Sequence, residues 1–252
     1  MGRKKVKFSN SAGHQLAAII ELPDKVVPIG FALFAHCFTC SKNLNSVGTI
    51  AQALNDHGIA VMLFDFTGLG ESEGEFENTN FSSNVEDLID AAGFLKKEFK
   101  APSLLIGHSL GGAAAIFAAS KIASLKALAT IASPSSPAHI SNLLRSDIAE
   151  IKKNGFAEVS IGGRNFSIKK QFLDDINESK LNTVLHDIKK PILILHSPQD
   201  NIVGIENAAE IFQMAMHPKS FISLDGADHL LSEKTDSLYA GNMIGAWAER
   251  YM

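Results

Sequence analysis

The sequence predicts an α/β fold, a mostly parallel central sheet flanked by helices with a small inserted lid. Three observations lead there. Short apolar runs rich in β-branched and aromatic residues recur along the 252 residues. They read as strands buried on both faces of a parallel sheet. Amphipathic helical patterns separate them, and strand–helix alternation of this kind implies right-handed crossovers. One block, at about residues 134–189, breaks the alternation without a buried-strand run.

The elements follow in order. His14 to Leu22 reads as an early strand, and Ile29 to Ala35 as the next. Asn45 to His57 is a helix stopped by Gly58, a residue suited to a helix C-terminus. Gly58 to Asp65 is a strand. A helix then begins at Ser83, with Glu86 three residues later as a capping box. Its apolar positions Val85, Leu88, Ile89, Ala92 and Leu95 keep the helical period. Ser103 to Gly107 and Ala127 to Ala132 are further strands.

The irregular block opens on the breaker cluster Ser133-Pro134-Ser135-Ser136-Pro137. Helix-like segments around His139 to Asn154 and Lys169 to His186 flank a hairpin, residues 157–161 and 164–168 about a Gly162-Gly163 turn. Strands at Pro191 to His196 and Ser220 to Leu224 and helices at Gly204 to Met216 and Ser232 to Tyr251 complete the chain. The expectation is one domain over residues 1–252 with the lid inserted at about 134–189.

Composition narrows the function classes. A hydrophobic fraction of 46% and a charged fraction of 20% suit a soluble protein with a full core. The formal net charge of -4 offers no basic footprint for nucleic acid and no polybasic membrane anchor. No apolar stretch approaches the ~18 residues that cross a bilayer. The basic start has no apolar run behind it, so no secretory signal is expected and a cytoplasmic protein is. Cys37 and Cys40 are the only cysteines, so no disulfide framework is expected. Their C-x-x-C spacing leaves a minor redox or metal reading, in which oxidation of Cys37 inhibits an enzyme.

The chemistry centres on Gly107-His108-Ser109-Leu110-Gly111, between the strand Leu104-Leu105-Ile106 and an Ala-rich helix. A bare G-x-S-x-G is common; in a strand–turn–helix it marks a nucleophilic serine on a strained turn. The helix start supplies free N–H groups for a developing oxyanion. A serine hydroxyl needs a base. Asp200 follows the strand Ile192-Leu193-Ile194-Leu195, and His229 follows Phe221-Ile222-Ser223-Leu224. That is the order Ser, Asp, His, with all three at strand carboxyl ends, where ligands bind open α/β sheets. Asp225 and Asp228 compete with Asp200 as the acid, and His108 is expected to shape the turn rather than act as base. Two main-chain N–H groups should form an oxyanion hole: Leu110, and Phe38 in His36-Cys37-Phe38-Thr39, with Cys37 the competing choice. Asp65-Phe66-Thr67-Gly68-Leu69-Gly70-Glu71-Ser72 matches no phosphate-loop spacing and reads as a tight turn at the mouth of the site.

Residues 34–42, 64–70, 81–84 and 105–112 together are distinctive, and Gln171-Phe172-Leu173-Asp174-Asp175 joins them. The chain resembles the α/β-hydrolase superfamily, and within it the hydrolase half of bacterial proteins that fuse an α/β-hydrolase to an OsmC-like domain. The resemblance spans essentially the whole chain. It implies the α/β-hydrolase fold, a Ser109–Asp200–His229 triad and a bacterial cytoplasmic home. The chain ends at Met252, so it implies no OsmC-type peroxidase activity here. The expected function is cleavage of carboxylic esters through an acyl-enzyme on Ser109, with short-chain or aromatic esters first. Leu143, Leu144, Phe156, Phe166 and Phe172 are the expected apolar wall of an acyl pocket. Acyl transfer and thioester or peptide hydrolysis are the competing chemistries, and a non-catalytic binding module the competing class. The sequence offers no reason to expect a metal or organic cofactor, nor a nucleic-acid or membrane partner; the partner is a small acyl substrate, and a homodimer stays open.

Overall fold

The structure, a computed structural model, describes all residues except Met1, Lys25, Gly162 and Lys180, and only the main chain of Asn182 and Thr183. An eight-stranded sheet runs through it. In chain order its strands are β1 (Gly2–Ser9), β2 (Gln15–Leu22), β3 (Gly30–Ala35), β4 (Ile59–Phe64), β5 (Leu104–His108), β6 (Ala127–Ile131), β9 (Ile192–His196) and β10 (Lys219–Ser223). β7 (Phe156–Ile161) and β8 (Arg164–Lys169) form a separate two-stranded hairpin. The spatial order is β1-β2-β4-β3-β5-β6-β9-β10. β1 and β2 join antiparallel, and every pairing from β4 onward is parallel.

Strand periodicity sorts the core into two faces. Phe31, Leu33 and Ala35 of β3 point into one apolar cluster, and Ala32 and Phe34 into the other. Helices α1 (Asn45–Asp56) and α8 (Lys234–Ala248) cover one face. Helices α2 (Phe81–Glu98), α3 (Leu110–Lys121) and α7 (Glu206–Met214) cover the other. α8 approaches α1 closely because Gly241 leaves room for the Ala53 methyl and the Ile50 backbone.

The strand β1 departs from the expectation, which placed none before His14. Its residues Arg3, Lys4, Lys5 and Lys7 are exposed, and only Phe8 is buried. A lysine-rich strand hides its apolar signal, and the same charges suit a sheet edge that must not template another chain. β10 corrects the expectation of burial on both faces: it is the opposite edge, with Phe221 44% exposed. α2 begins earlier than expected. Asn80 is its N-cap and forms the capping box with Ser83, while Glu86 pairs with Lys121 of α3 instead.

Between β6 and β9 lie a 3-10 segment (Pro137–Asn142), α4 (Ile148–Asn154), the β7–β8 hairpin, α5 (Lys170–Glu178) and α6 (Leu181–Asp187). Among the described residues this insert adds no strand to the large sheet. Gly162, half of the expected Gly-Gly turn, lies outside the described residues. The helix expected around His139 to Asn154 is instead the 3-10 segment followed by the short α4. Ile151, Ile168, Phe172, Leu173 and Ile176 tie the insert into the core beneath it.

Phe64 is fully buried, its ring edge-on to Phe8 at 6.0 Å and to Phe66 at 4.8 Å. Phe64→Ala removes that filling and leaves a cavity between β1, β4 and the turn that follows. The expected loss is about 3–5 kcal/mol of unfolding free energy, read from the urea midpoint; a loss under about 1 kcal/mol would show that this corner can collapse.

Candidate active site

Ser109 sits between β5 and α3 with φ 55° and ψ -130°, a left-handed conformation that costs a non-glycine residue about 1–3 kcal/mol. Neighbouring glycines make the turn feasible. A Cβ at Gly111 would run into the main-chain carbonyls of Ala35 and His36, and one at Gly107 into the backbone of Gly111 and Gly112. The Ser109 N–H donates to the Ile131 carbonyl at 2.9 Å, which ties the turn to the end of β6.

The structure brings Ser109, His229 and Asp200 together from three separate strand ends. His229 Nε2 lies 2.9 Å from Ser109 Oγ, and His229 Nδ1 lies 2.7 Å from Asp200 Oδ2. An ionised carboxylate only accepts, so Nδ1 carries the proton and the Nε2 lone pair faces the serine hydroxyl. Asp200 Oδ1 accepts the main-chain N–H groups of Ile202 and Val203, both at 2.9 Å. Burial pushes the Asp200 carboxyl upward. The hydrogen bonds from His229, Val203 and Ile202 outweigh it and hold the pKa below the usual carboxylate value. Neither competing aspartate bonds the imidazole: Asp225 accepts from Gln199, and Asp228 from the Ser232 N–H.

His108 is buried, and its Nε2–H donates to the main-chain carbonyl of His229 at 2.7 Å. It fastens the last loop to the turn beside the serine. Burial, reinforced by the neighbouring His229, pushes its pKa down to about 3, so the ring is neutral at pH 7. His196 does the same for the Asp200 loop, donating to the Val203 carbonyl at 2.7 Å, and burial lowers its pKa too.

The loop after β3 faces the serine. The N–H groups of Phe38 and Leu110 donate to no backbone acceptor among the described residues. Cys37 and Cys40 are joined as a disulfide, their Cα atoms 5.3 Å apart. This corrects the reading of Cys37 as a free reactive thiol. Thr39 at φ 61° turns the backbone so that two cysteines three residues apart meet.

A buried ion pair ties this loop to the turn after β4. Lys42 Nζ lies 2.5 Å from Asp65 Oδ2 and 2.7 Å from Glu71 Oε2, with the Lys42 and Asp65 side chains 1% and 0% exposed. Asp65 also accepts the Lys42 and Glu71 N–H groups at 2.7 and 2.9 Å, and Gly70 passes so close that a Cβ there would strike its carboxylate. The turn read as a stabiliser of the mouth is thus an anchor for the loop carrying Phe38. A lone lysine carries no sequence signal of burial, and Lys42 stands out in the sequence only as the end of the distinctive segment 34–42.

A cavity of about 550 Å³ opens over Ser109 and His229. Of the five apolar residues expected to line it, Leu143 does. Leu144 and Phe172 are buried in the core, Phe156 is exposed, and Phe166 packs on Phe76. Ile140, Ile161, Ile202, Val203 and Leu230 form the wall instead.

Two outcomes follow. Lys42→Met leaves the Asp65 carboxylate buried without its cation and should cost about 3–5 kcal/mol in urea unfolding; a midpoint like the parent's would mean that water replaces the cation. Unfolded His108 titrates near 6.5 and folded His108 near 3. The unfolded chain therefore binds the extra proton in this window, so the His108 contribution is complete above pH 6.5 and is lost as pH falls toward 3. His108→Gln should lose less stability than the parent between pH 7 and pH 5, and an equal loss in both would show that His108 is not the group responsible.

Comparison with known proteins agrees with this architecture. The sequence matches the family described as serine aminopeptidase, S33 (Hydrolase_4) over residues 41–166. A solved esterase domain from a Rhodothermus marinus protein is 49% identical, superposes with a TM-score of 0.82, and is covered to 99% with all of this chain aligned. The Butyrivibrio proteoclasticus protein Est1E, solved with ferulic acid, shares the fold at 18% identity and a TM-score of 0.81, over 98% of each chain. The Bos taurus mitochondrial palmitoyl-protein thioesterase ABHD10 is 26% identical over 77% of this chain and 66% of its own. The mostly parallel eight-stranded sheet, the helices on both its faces and these likenesses agree: the chain is an α/β-hydrolase and belongs to the serine aminopeptidase S33 family.

Proposed function

We propose that this chain is a serine hydrolase that cleaves carboxylic esters through an acyl-enzyme on Ser109. The observation that carries the reading is the continuous hydrogen-bond chain from Ser109 Oγ through His229 to Asp200, set at the floor of an apolar cavity. Ser109 Oγ attacks the ester carbonyl carbon as its proton passes to His229 Nε2. Asp200 holds the tautomer and stabilises the imidazolium. The carbonyl oxygen takes the negative charge against the main-chain N–H groups of Phe38 and Leu110 at the start of α3. Collapse expels the alcohol, which leaves with the proton from His229. Water, deprotonated by the same imidazole, then releases the acid and restores Ser109.

The insert between β6 and β9 acts as a lid, since its residues Ile140, Leu143 and Ile161 line the same cavity as Ser109. Thioester hydrolysis is the second reading. The ABHD10 relative, a palmitoyl-protein thioesterase, favours it, and the same attacking serine serves both bonds. An intact hydrogen-bonded trio argues against a mere binding module.

A fluorophosphonate probe should add once, at Ser109, in intact-mass analysis. Ser109→Ala should abolish the adduct, and His229→Ala should lower kcat on an aryl ester by roughly 10⁴–10⁶-fold. A folded protein that gives no adduct at Ser109 would overturn the reading.

A further inference from the structure

The cavity over Ser109 has an electrostatic asymmetry that ester cleavage by itself does not use. Its described lining residues include no aspartate or glutamate and a single lysine or arginine, Arg164. Arg164 is the first residue of β8, at the tip of the insert hairpin, and is exposed. One contact ties its guanidinium to the loop carrying Phe38, and a second packs it on a ring of its own strand. Nη2 donates to the Thr39 carbonyl, and Cζ lies 5.3 Å from the centroid of the Phe166 ring. Among the described residues no carboxylate lies within ion-pair distance of it.

A guanidinium carries five N–H donors in a planar fork suited to a carboxylate. The Thr39 contact uses one nitrogen. Arg164 is open to solvent on its outer side, and the apolar residues Ile140, Leu143 and Ile161 line the cavity it borders. An anion on the cavity side has fewer waters to screen it from this charge than one in bulk solvent. We infer that Arg164 is a specificity-determining residue, and that the ester taken by this cavity carries a carboxylate beside an apolar body. The inference rests on the hydrolase reading above. Hydrolysis leaves the recognised carboxylate unchanged: water is split across the ester bond alone, and no electrons are transferred.

A purely mechanical role, clamping the insert onto the Thr39 loop, predicts something different. It would weaken turnover of every ester alike. The test is therefore a ratio. Values of kcat/KM are measured for p-nitrophenyl hemiglutarate against p-nitrophenyl valerate, and for 4-acetoxybenzoate against phenyl acetate, so that the charge sits on the acyl side or the leaving side. Parent, Arg164→Leu and Arg164→Lys are compared. Intrinsic reactivity cancels between proteins. The charged-to-neutral ratio should fall at least tenfold in Arg164→Leu for one pair or both, with Arg164→Lys between. Ratios unchanged in both pairs overturn the inference.

A second arm needs no turnover. Ligand-observed NMR on Ser109→Ala protein, with and without Arg164→Leu, reads binding of ethyl hydrogen glutarate and 4-acetoxybenzoate against ethyl valerate and phenyl acetate. Arg164-dependent binding of a charged ester by a parent that cleaves nothing would sustain this inference while sinking the hydrolase reading. Equal binding with and without Arg164 overturns it.

Discussion

The turn at Ser109 demands that three pieces of backbone pass each other with almost no space between them. β5 must end, α3 must begin, and the loop leaving β3 must run directly alongside. Gly107 and Gly111 permit this because a side-chain carbon at either would occupy the place of another main chain. Everything else at the site is arranged around that crowding. The serine is held at a positive φ by its hydrogen bond to Ile131, and its hydroxyl meets the imidazole that the last loop delivers.

Contacts within and between the neighbouring loops support this turn. The Lys42–Asp65 ion pair fixes the loop beyond Phe38, and the Cys37–Cys40 disulfide closes the same loop upon itself. His108 and His196, kept neutral by burial, act as hydrogen-bond donors that fasten the loops bearing His229 and Asp200. A charged imidazole at either place would carry a proton into a site with little room to solvate it. Lys42, Asp65, His108 and His196 thus bond one loop to another, and none of the four lines the cavity.

Legibility in the sequence varied with the kind of signal each element carries. Strands β3 to β6 and β9 were readable because burial on both faces writes a continuous apolar run. β1 was not, because an exposed edge alternates lysine with apolar residues and looks like a basic tail. The start of α2 was displaced because Asn80 and Ser83 share a capping box and Ser83 alone resembles an N-cap. Ser109, Asp200 and His229 were nameable since a strand-end position and a chain order mark them. The cavity wall carries no such mark: phenylalanines in the insert are large enough to be taken by the core beneath it, and Phe172 and Phe166 pack on Phe38 and Phe76.

By itself the sequence determined the alternation of strands and helices, the glycines that allow a sharp serine turn, and which residue types reach the strand ends. These are local properties, set by periodicity and backbone sterics within a few residues. Only the tertiary structure decided which partner each polar group found. Lys42 is buried because Asp65 meets it from 23 residues away, and His108 is a loop fastener because the His229 carbonyl arrives from 121 residues away. Arg164 lines the cavity because the insert folds back 125 residues onto the Thr39 carbonyl. Such contacts depend on how layers pack across long chain separations, and no local pattern encodes them.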